Sequence, residues 1–337
     1  MNYTDRERLM RLAHTFDLNY RVTGLYASYL EHYPELIRPE MIDALCEDGD
    51  VTHLDAAVAI LCEAFGLDDD RGGDERALIR NYIRPSVRIL DPKRYEDNPY
   101  YKNIKIEDVK DGAWELKWEK YPAYRGVICD DMIIGPDFSE IPPLGFFEKE
   151  FSFPAVLEGG NEWMTLTPVD LDTSDYAIER ARGKVVTFGL GLGYFAYMAS
   201  EKDEVESVTV IEKSENVIRL FEKYILPQFT HKEKVRVICA DAFKYAEDDM
   251  PAEEYDFAFV DTWRDASDGA PMYKRMKPLE AKNPKTEFAY WIENFLISRL
   301  RAQRFEELYD AVMKDADGAP ETYDDLIKEL KIYGRDI

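Results

Sequence analysis

The spacing of apolar side chains changes character twice along the chain. From residue 5 to about 90, apolar residues recur at three- and four-residue steps, as in Leu9, Leu12, Phe16 and Tyr20 and again in Leu54, Val58, Leu61 and Phe65. That period is helical, and it predicts a helical region over 1–90. LDDDRGGDE (67–75) divides it, and DPKRYEDNPYY (91–101) closes it, because prolines remove helix donors and Asn favours turns. Over 91–164 the pattern shortens: AWELKWEKY alternates around Trp114, Leu116 and Trp118, and RGVICDDMIIG is β-branched and apolar, which predicts a small β-rich domain.

From 165 to 337 a third pattern takes over. In TLTPVD, Thr167 stands at a cap position, Pro168 at the first helical residue and Asp170 three residues after the cap, so a helix is expected through Ile178. Four apolar runs then follow: KVVTFGL, SVTVIEK, VRVICAD and DFAFVDTW. Helix-length segments separate them. Alternating strands and helices predict a doubly wound, mostly parallel, Rossmann-like α/β sheet with right-handed crossovers. After DFAFVDTW no further strand is evident. EFAYWIENFLISRLRAQRFEELYDAVM and ETYDDLIKELKIY both have helical periodicity, so the sheet is expected to be shortened after strand 4.

Composition narrows the function. The chain has 337 residues, 45% hydrophobic and 33% charged, with 43 Lys+Arg against 68 Asp+Glu and a formal charge of −25. Such a surface repels phosphate backbones and anionic membranes, so no nucleic-acid or membrane partner is expected, with RARGK (180–184) the most basic stretch. Cys46, Cys62, Cys129 and Cys239 form no C-x-x-C pair and the first residues, MNYTDRERLM, lack an apolar leader, which gives the expectation of a reduced, cytoplasmic protein. His14, His32, His53 and His231 form no metal-ligand pattern, and no metal is expected. A small-molecule substrate is the expected partner, and self-association into a homodimer stays open.

The chemistry concentrates at the ends of the four apolar runs. Gly189, Gly191 and Gly193 close the first and open its helix, where missing side chains let backbone N–H groups approach a ligand. Glu212 ends the second, 212 − 193 = 19 residues on, where an acid in a nucleotide-binding sheet accepts from ribose hydroxyls. Asp241, followed by Ala242 and Phe243, ends the third, and Asp261 ends the fourth. Any one carboxylate could be a helix cap. Capping does not explain why all of them fall in register with alternating strands.

VVTFGLGLGYFAYMAS, VIEKSENV, ICADAFKY and YDFAFVDTW resemble the successive motifs of class I S-adenosylmethionine-dependent methyltransferases over roughly residues 165–265. The resemblance implies an S-adenosylmethionine cofactor. It places Gly189, Gly191 and Gly193 beside the methionine moiety, Glu212 on the ribose, Asp241 and Ala242 at the adenine, and Asp261, the candidate catalytic residue, at the transfer site. Four other readings stand beside it. Gly191 to Ala196 also satisfies G-x-G-x-x-A, as in NAD enzymes. The sheet with a β-rich domain before it is similar to spermidine-synthase-like aminopropyltransferases, although their D-[ST]-[ST]-D-P loop here reads Asp261, Thr262, Trp263, Arg264, Asp265. DTWR resembles the D-H-W-K of metal-dependent methyltransferases, but the adjacent Asp-Asn of that metal site is missing and Asn283 stands alone. A non-catalytic module that binds S-adenosylmethionine is the remaining alternative.

Overall fold

The structure is a computed structural model that describes residues 1–331. The chain divides differently from the three consecutive segments expected. One unit takes in Met1–Leu90, Pro122–Lys149 and the described residues from Asn294, and the other takes in Asp91–Tyr121 and Glu150–Glu293.

The first unit is built on the helix Tyr3–His32, whose N-terminus is capped by the Asn2 side chain accepting from the Asp5 N–H at 2.8 Å. Leu9, Leu12 and Phe16 are buried as expected, while Tyr20 is 80% exposed and the buried stripe continues through Asn19 and Val22 instead. The stripe explains where the C-terminal helices belong. Glu293–Met313 and Tyr323–Lys331 bring Phe305, Leu308, Val312, Leu326 and Leu330 against it, with the Phe16 and Phe305 rings stacked at 4.1 Å. Of the expected helix ETYDDLIKELKIY, Ile332 and Tyr333 lie outside the described residues. The middle segment, expected to be one β-rich domain, is shared out. Its strand Leu144–Phe147 pairs with Val87–Leu90 on one side and with Val127–Ile128 on the other in the first unit, and its strands from Val109 to Tyr121 fold in the second.

The second unit holds two sheets. Val109–Asp111, Trp114–Tyr121, Phe151–Glu158 and Asn161–Thr165 form an antiparallel sheet in that order. The other is the expected parallel sheet: β1 (Gly183–Phe188), β2 (Val205–Glu212), β3 (Val235–Cys239), β4 (Phe257–Val260) and β5 (Glu287–Tyr290), in the order β3-β2-β1-β4-β5. The central strands are buried along nearly their whole length, as strands covered on both faces must be. This is the doubly wound α/β fold, and its strand order reverses between β1 and β4.

β5 corrects the expectation that the sheet stops after strand 4. EFAY does not begin the following helix. It pairs parallel with β4, Phe257 opposite Glu287 and Val260 opposite Tyr290, and Ile292, at φ +47°, turns the chain before the helix starts at Glu293. Four apolar residues cannot distinguish a buried strand from a helix by period alone. Arg180 and Arg182 hold the strand's first residue through the Glu287 carboxylate. The sheet is still short, with five parallel strands among the described residues.

Between β1 and β4 the backbones close to contact. The Asp261 N–H donates to the Phe188 carbonyl at 2.8 Å and the Gly189 N–H to the Ile211 carbonyl at 2.8 Å. A Cβ built on Gly189 would lie 1.8 Å from the Asp261 carbonyl oxygen, and its φ is +102°. We therefore expect Gly189→Ala to be far more destabilising than Gly159→Ala. The latter sits at φ +59° in a turn with nothing near its added Cβ, so it costs only the roughly 1–2 kcal/mol of a left-handed side-chain-bearing residue. Urea unfolding midpoints at unchanged slope would measure the difference, and equal losses would show that the strands separate without cost.

Candidate functional site

The carboxyl ends of the strands open into a cleft of about 370 Å³. Gly189, Leu190 and Gly191 enter from β1, Glu212 and Lys213 from β2, Asp241, Ala242 and Phe243 from β3, and Asp261 to Arg264 from β4. Six of the seven residues singled out in the sequence are thus brought together. Gly193 is the exception. It starts the helix Tyr194–Ser200, and a Cβ there would meet the Phe221 ring at 2.4 Å, so its bareness serves helix packing. At Gly191 a Cβ would meet the Met164 sulfur at 1.9 Å.

Each acid has a defined local role. Glu212 accepts from the Leu190 N–H at 3.2 Å through one oxygen and from the Ser214 N–H at 2.8 Å through the other, fastening the glycine loop to the end of β2. Asp241 accepts from the Lys244 N–H at 3.0 Å, so the capping role open to it in the sequence is real. Its other oxygen still faces a cleft that a ligand can enter. Asp261 differs from both: its backbone is fixed by the sheet, while its carboxyl stands among protein groups near Asp170 and Glu212. Burial first, and those two like charges second, push it up to about 8, so at neutral pH it is mostly protonated.

Several lining residues had no sequence signal. Glu162 to Thr165 come from the last strand of the antiparallel sheet, and Asp268 and Met272 from the helix Ala266–Met276. Trp291 directly follows β5. Asp170 was visible only as a capping residue. That role holds, since its carboxylate accepts from the Thr167 N–H at 2.7 Å and hydroxyl at 2.8 Å, but it also lines the cleft, and burial raises it to about 6. The indole N–H groups of Trp263 and Trp291 are buried without an acceptor, a desolvation of about 1–3 kcal/mol each. Arg264 lines the rim and is exposed. The cleft thus offers bare backbone, paired and unpaired carboxylates and aromatic walls. Among the described residues the one His/Asp/Glu group with metal-ligand spacing, His14, Asp17 and Asp74, lies in the other unit. No helix of the described residues is long and apolar enough to cross a membrane.

No protein-family model matches the chain. No curated protein matches it. Among solved structures it is similar to a spermidine synthase from Thermotoga maritima, at 14% identity and a TM-score of 0.31 over 58% of this chain and 61% of that one. It is also similar to a spermidine synthase in complex with the transition state analogue AdoDATO, at 13% identity and a TM-score of 0.31 over 59% and 63%. The chain therefore covers less than two thirds of either relative. At this level of similarity the fold assignment rests on the strand order and register described above.

Proposed function

We propose that the cleft binds S-adenosylmethionine and transfers its methyl group to a small-molecule acceptor. One observation carries the reading. Glycine, Glu212, Asp241 with Ala242, and Asp261 stand at the ends of four successive strands around one opening at the switch point, the place where open α/β sheets hold ligands. The Gly189–Gly191 backbone forms the wall beside which the amino-acid end would lie, Glu212 can accept from both ribose hydroxyls, and Ala242 and Phe243 form an apolar surface for a purine.

Methyl transfer from a sulfonium requires in-line approach and little else. The acceptor atom forms a bond to the methyl carbon, the carbon–sulfur pair stays on sulfur, and the acceptor's proton must leave. Asp261 is the group positioned to take it. A carboxylate with proton affinity near neutrality is a better base than an ordinary one. Aminopropyl transfer from decarboxylated S-adenosylmethionine to an amine is the second reading. The charge of the cleft favours it: Glu162, Asp170, Glu212, Asp241, Asp261 and Asp268 face only Lys213 and Arg264 as counter-charges, which suits a cationic acceptor.

Calorimetry separates these. S-adenosylmethionine or S-adenosylhomocysteine is expected to bind. Preference for the decarboxylated compound would select aminopropyl transfer, and binding of NAD alone would move the assignment to a dinucleotide enzyme. Glu212→Ala should weaken adenosyl binding by roughly 1.5–3 kcal/mol, about tenfold to a hundredfold, the range for hydrogen bonds to a charged group. Its unfolding midpoint should change little, because water can reach the freed N–H groups at this half-buried strand end. Unchanged affinity would leave Glu212 a loop fastener only.

Asp261→Asn should lower turnover by about 10²–10⁴ while largely sparing adenosyl affinity. The sign of the pH dependence follows from its raised proton affinity. The base is blocked by its proton below about 8, so the rate should climb with pH and level off above that value, and the Asn variant should lack this rise. S-adenosylhomocysteine release in cell extract measures it; background release from both proteins would sink the enzyme reading and leave a binding module.

A further inference from the structure

Sharing Asp170, Asp261 and Trp291 with the cleft is a second and much smaller cavity of about 20 Å³. It is lined by Asp170, Asp261, Ser174, Thr187 and Tyr194, and otherwise by Gly189, apolar residues and Trp291. One water needs roughly 10–15 Å³ and two to four polar partners. The cavity meets both conditions and is too small for any organic group. Its polar lining comes from two elements that the fold holds rigidly. Asp170 and Ser174 lie one turn apart on the helix Pro168–Arg180, where the Ser174 hydroxyl donates to the Asp170 carbonyl at 2.6 Å. Thr187 and Asp261 lie on or just beyond the adjacent strands β1 and β4.

We propose that this cavity holds one ordered water that bridges the Asp170 and Asp261 carboxyl groups, so that the two act as a coupled pair in which Asp170 is a positioning residue for Asp261. A water between two acids can accept from the protonated carboxyl and donate to the ionised one, which lets one proton be held by the pair instead of by either member. Its second hydrogen goes to the oxygen of the Thr187 hydroxyl, whose own hydrogen is directed at the Gly189 carbonyl at 3.5 Å. Such pairs take up protons in two steps that belong to both groups. Both carboxyl groups here sit above the ordinary carboxylate range, with burial the leading cause at each, and Asp170 is the first of the two charges acting on Asp261. The other groups to be reckoned with are Glu212 from β2, Asp241 from β3, Glu162 from the antiparallel sheet, Lys213, Arg264 and Asp268 across the cleft, and the Tyr194 hydroxyl, which accepts from Asn98 at 3.0 Å.

The consequence for chemistry rests on the proposed function, but the pairing does not. In the transfer, the proton released by the acceptor passes to the Asp261 carboxylate as the new carbon bond forms and the carbon–sulfur pair moves to sulfur. The water and Asp170 then share that proton, so the pair carries one negative charge where it carried two.

The test is a carboxyl-carbon NMR titration of the ligand-free full chain, which reads the pair whether or not the protein transfers methyl groups. Asp170→Asn keeps an oxygen for the Thr167 N–H and should fold, and it should lower the Asp261 midpoint by about one pH unit, the scale of coupled acids. Thr187→Val keeps shape and removes one water partner without touching either acid. It should move the midpoint the other way, because a water held less firmly stabilises the carboxylate less. A role for Asp170 in helix capping alone would leave the Asp261 midpoint in place. An unchanged midpoint in a folded Asp170→Asn protein, or in Thr187→Val, would overturn the proposal.

Discussion

The approach of the Gly189 backbone to the Asp261 carbonyl sets the position of everything else in the site. Parallel strands β1 and β4 are adjacent in the sheet although helices and two other strands separate them in the chain. Their ends can meet only if the residue leaving β1 has no side chain and takes a φ forbidden to most others. With that contact made, the loop of glycines and the carboxyl of Asp261 share one wall of one cleft. The same contact directs the glycine loop toward β2, where the Glu212 carboxylate captures its Leu190 N–H.

The electrostatic character of the cleft follows from this closeness. Carboxylates delivered by separate elements converge there, and the sheet and the helix Pro168–Arg180 do not let them move apart. Glu212 accepts from two backbone N–H groups and Asp241 from one. At Asp261 burial, and then the Asp170 and Glu212 charges, raise the proton affinity. The difference lies in what surrounds each carboxyl, since the chemical group is the same.

The first unit shows a parallel dependence on distant pairing. The N-terminal helix has a stripe of apolar residues that its neighbours in sequence do not fill, and the C-terminal helices fill it. At the start of those helices Asp131 accepts from the Asn294 and Phe295 N–H groups at 3.0 and 3.1 Å, satisfying donors that a helix end otherwise leaves open. Burial raises this carboxyl to about 6. Chain ends and a middle segment are thereby tied into one body.

The sequence by itself determined the elements whose cause is local. The run of glycines after KVVTF, the cap at Thr167 with Asp170, and the acids closing the other three β-branched runs were legible, because strand period, capping chemistry and missing side chains act over a few residues. Six of the seven candidate site residues were legible for the same reason. Tertiary structure decided the rest. EFAY is a strand because an open edge of β4 was there to pair with it, and four residues carry no period strong enough to announce it. Trp291, Met272 and Glu162 reach the cleft from elements that only folding brings near. Asp170, readable as a cap, lines the cleft together with Asp261 because folding brings a helix and a strand end far apart in the chain to one opening, and no local pattern encodes a distance across a fold.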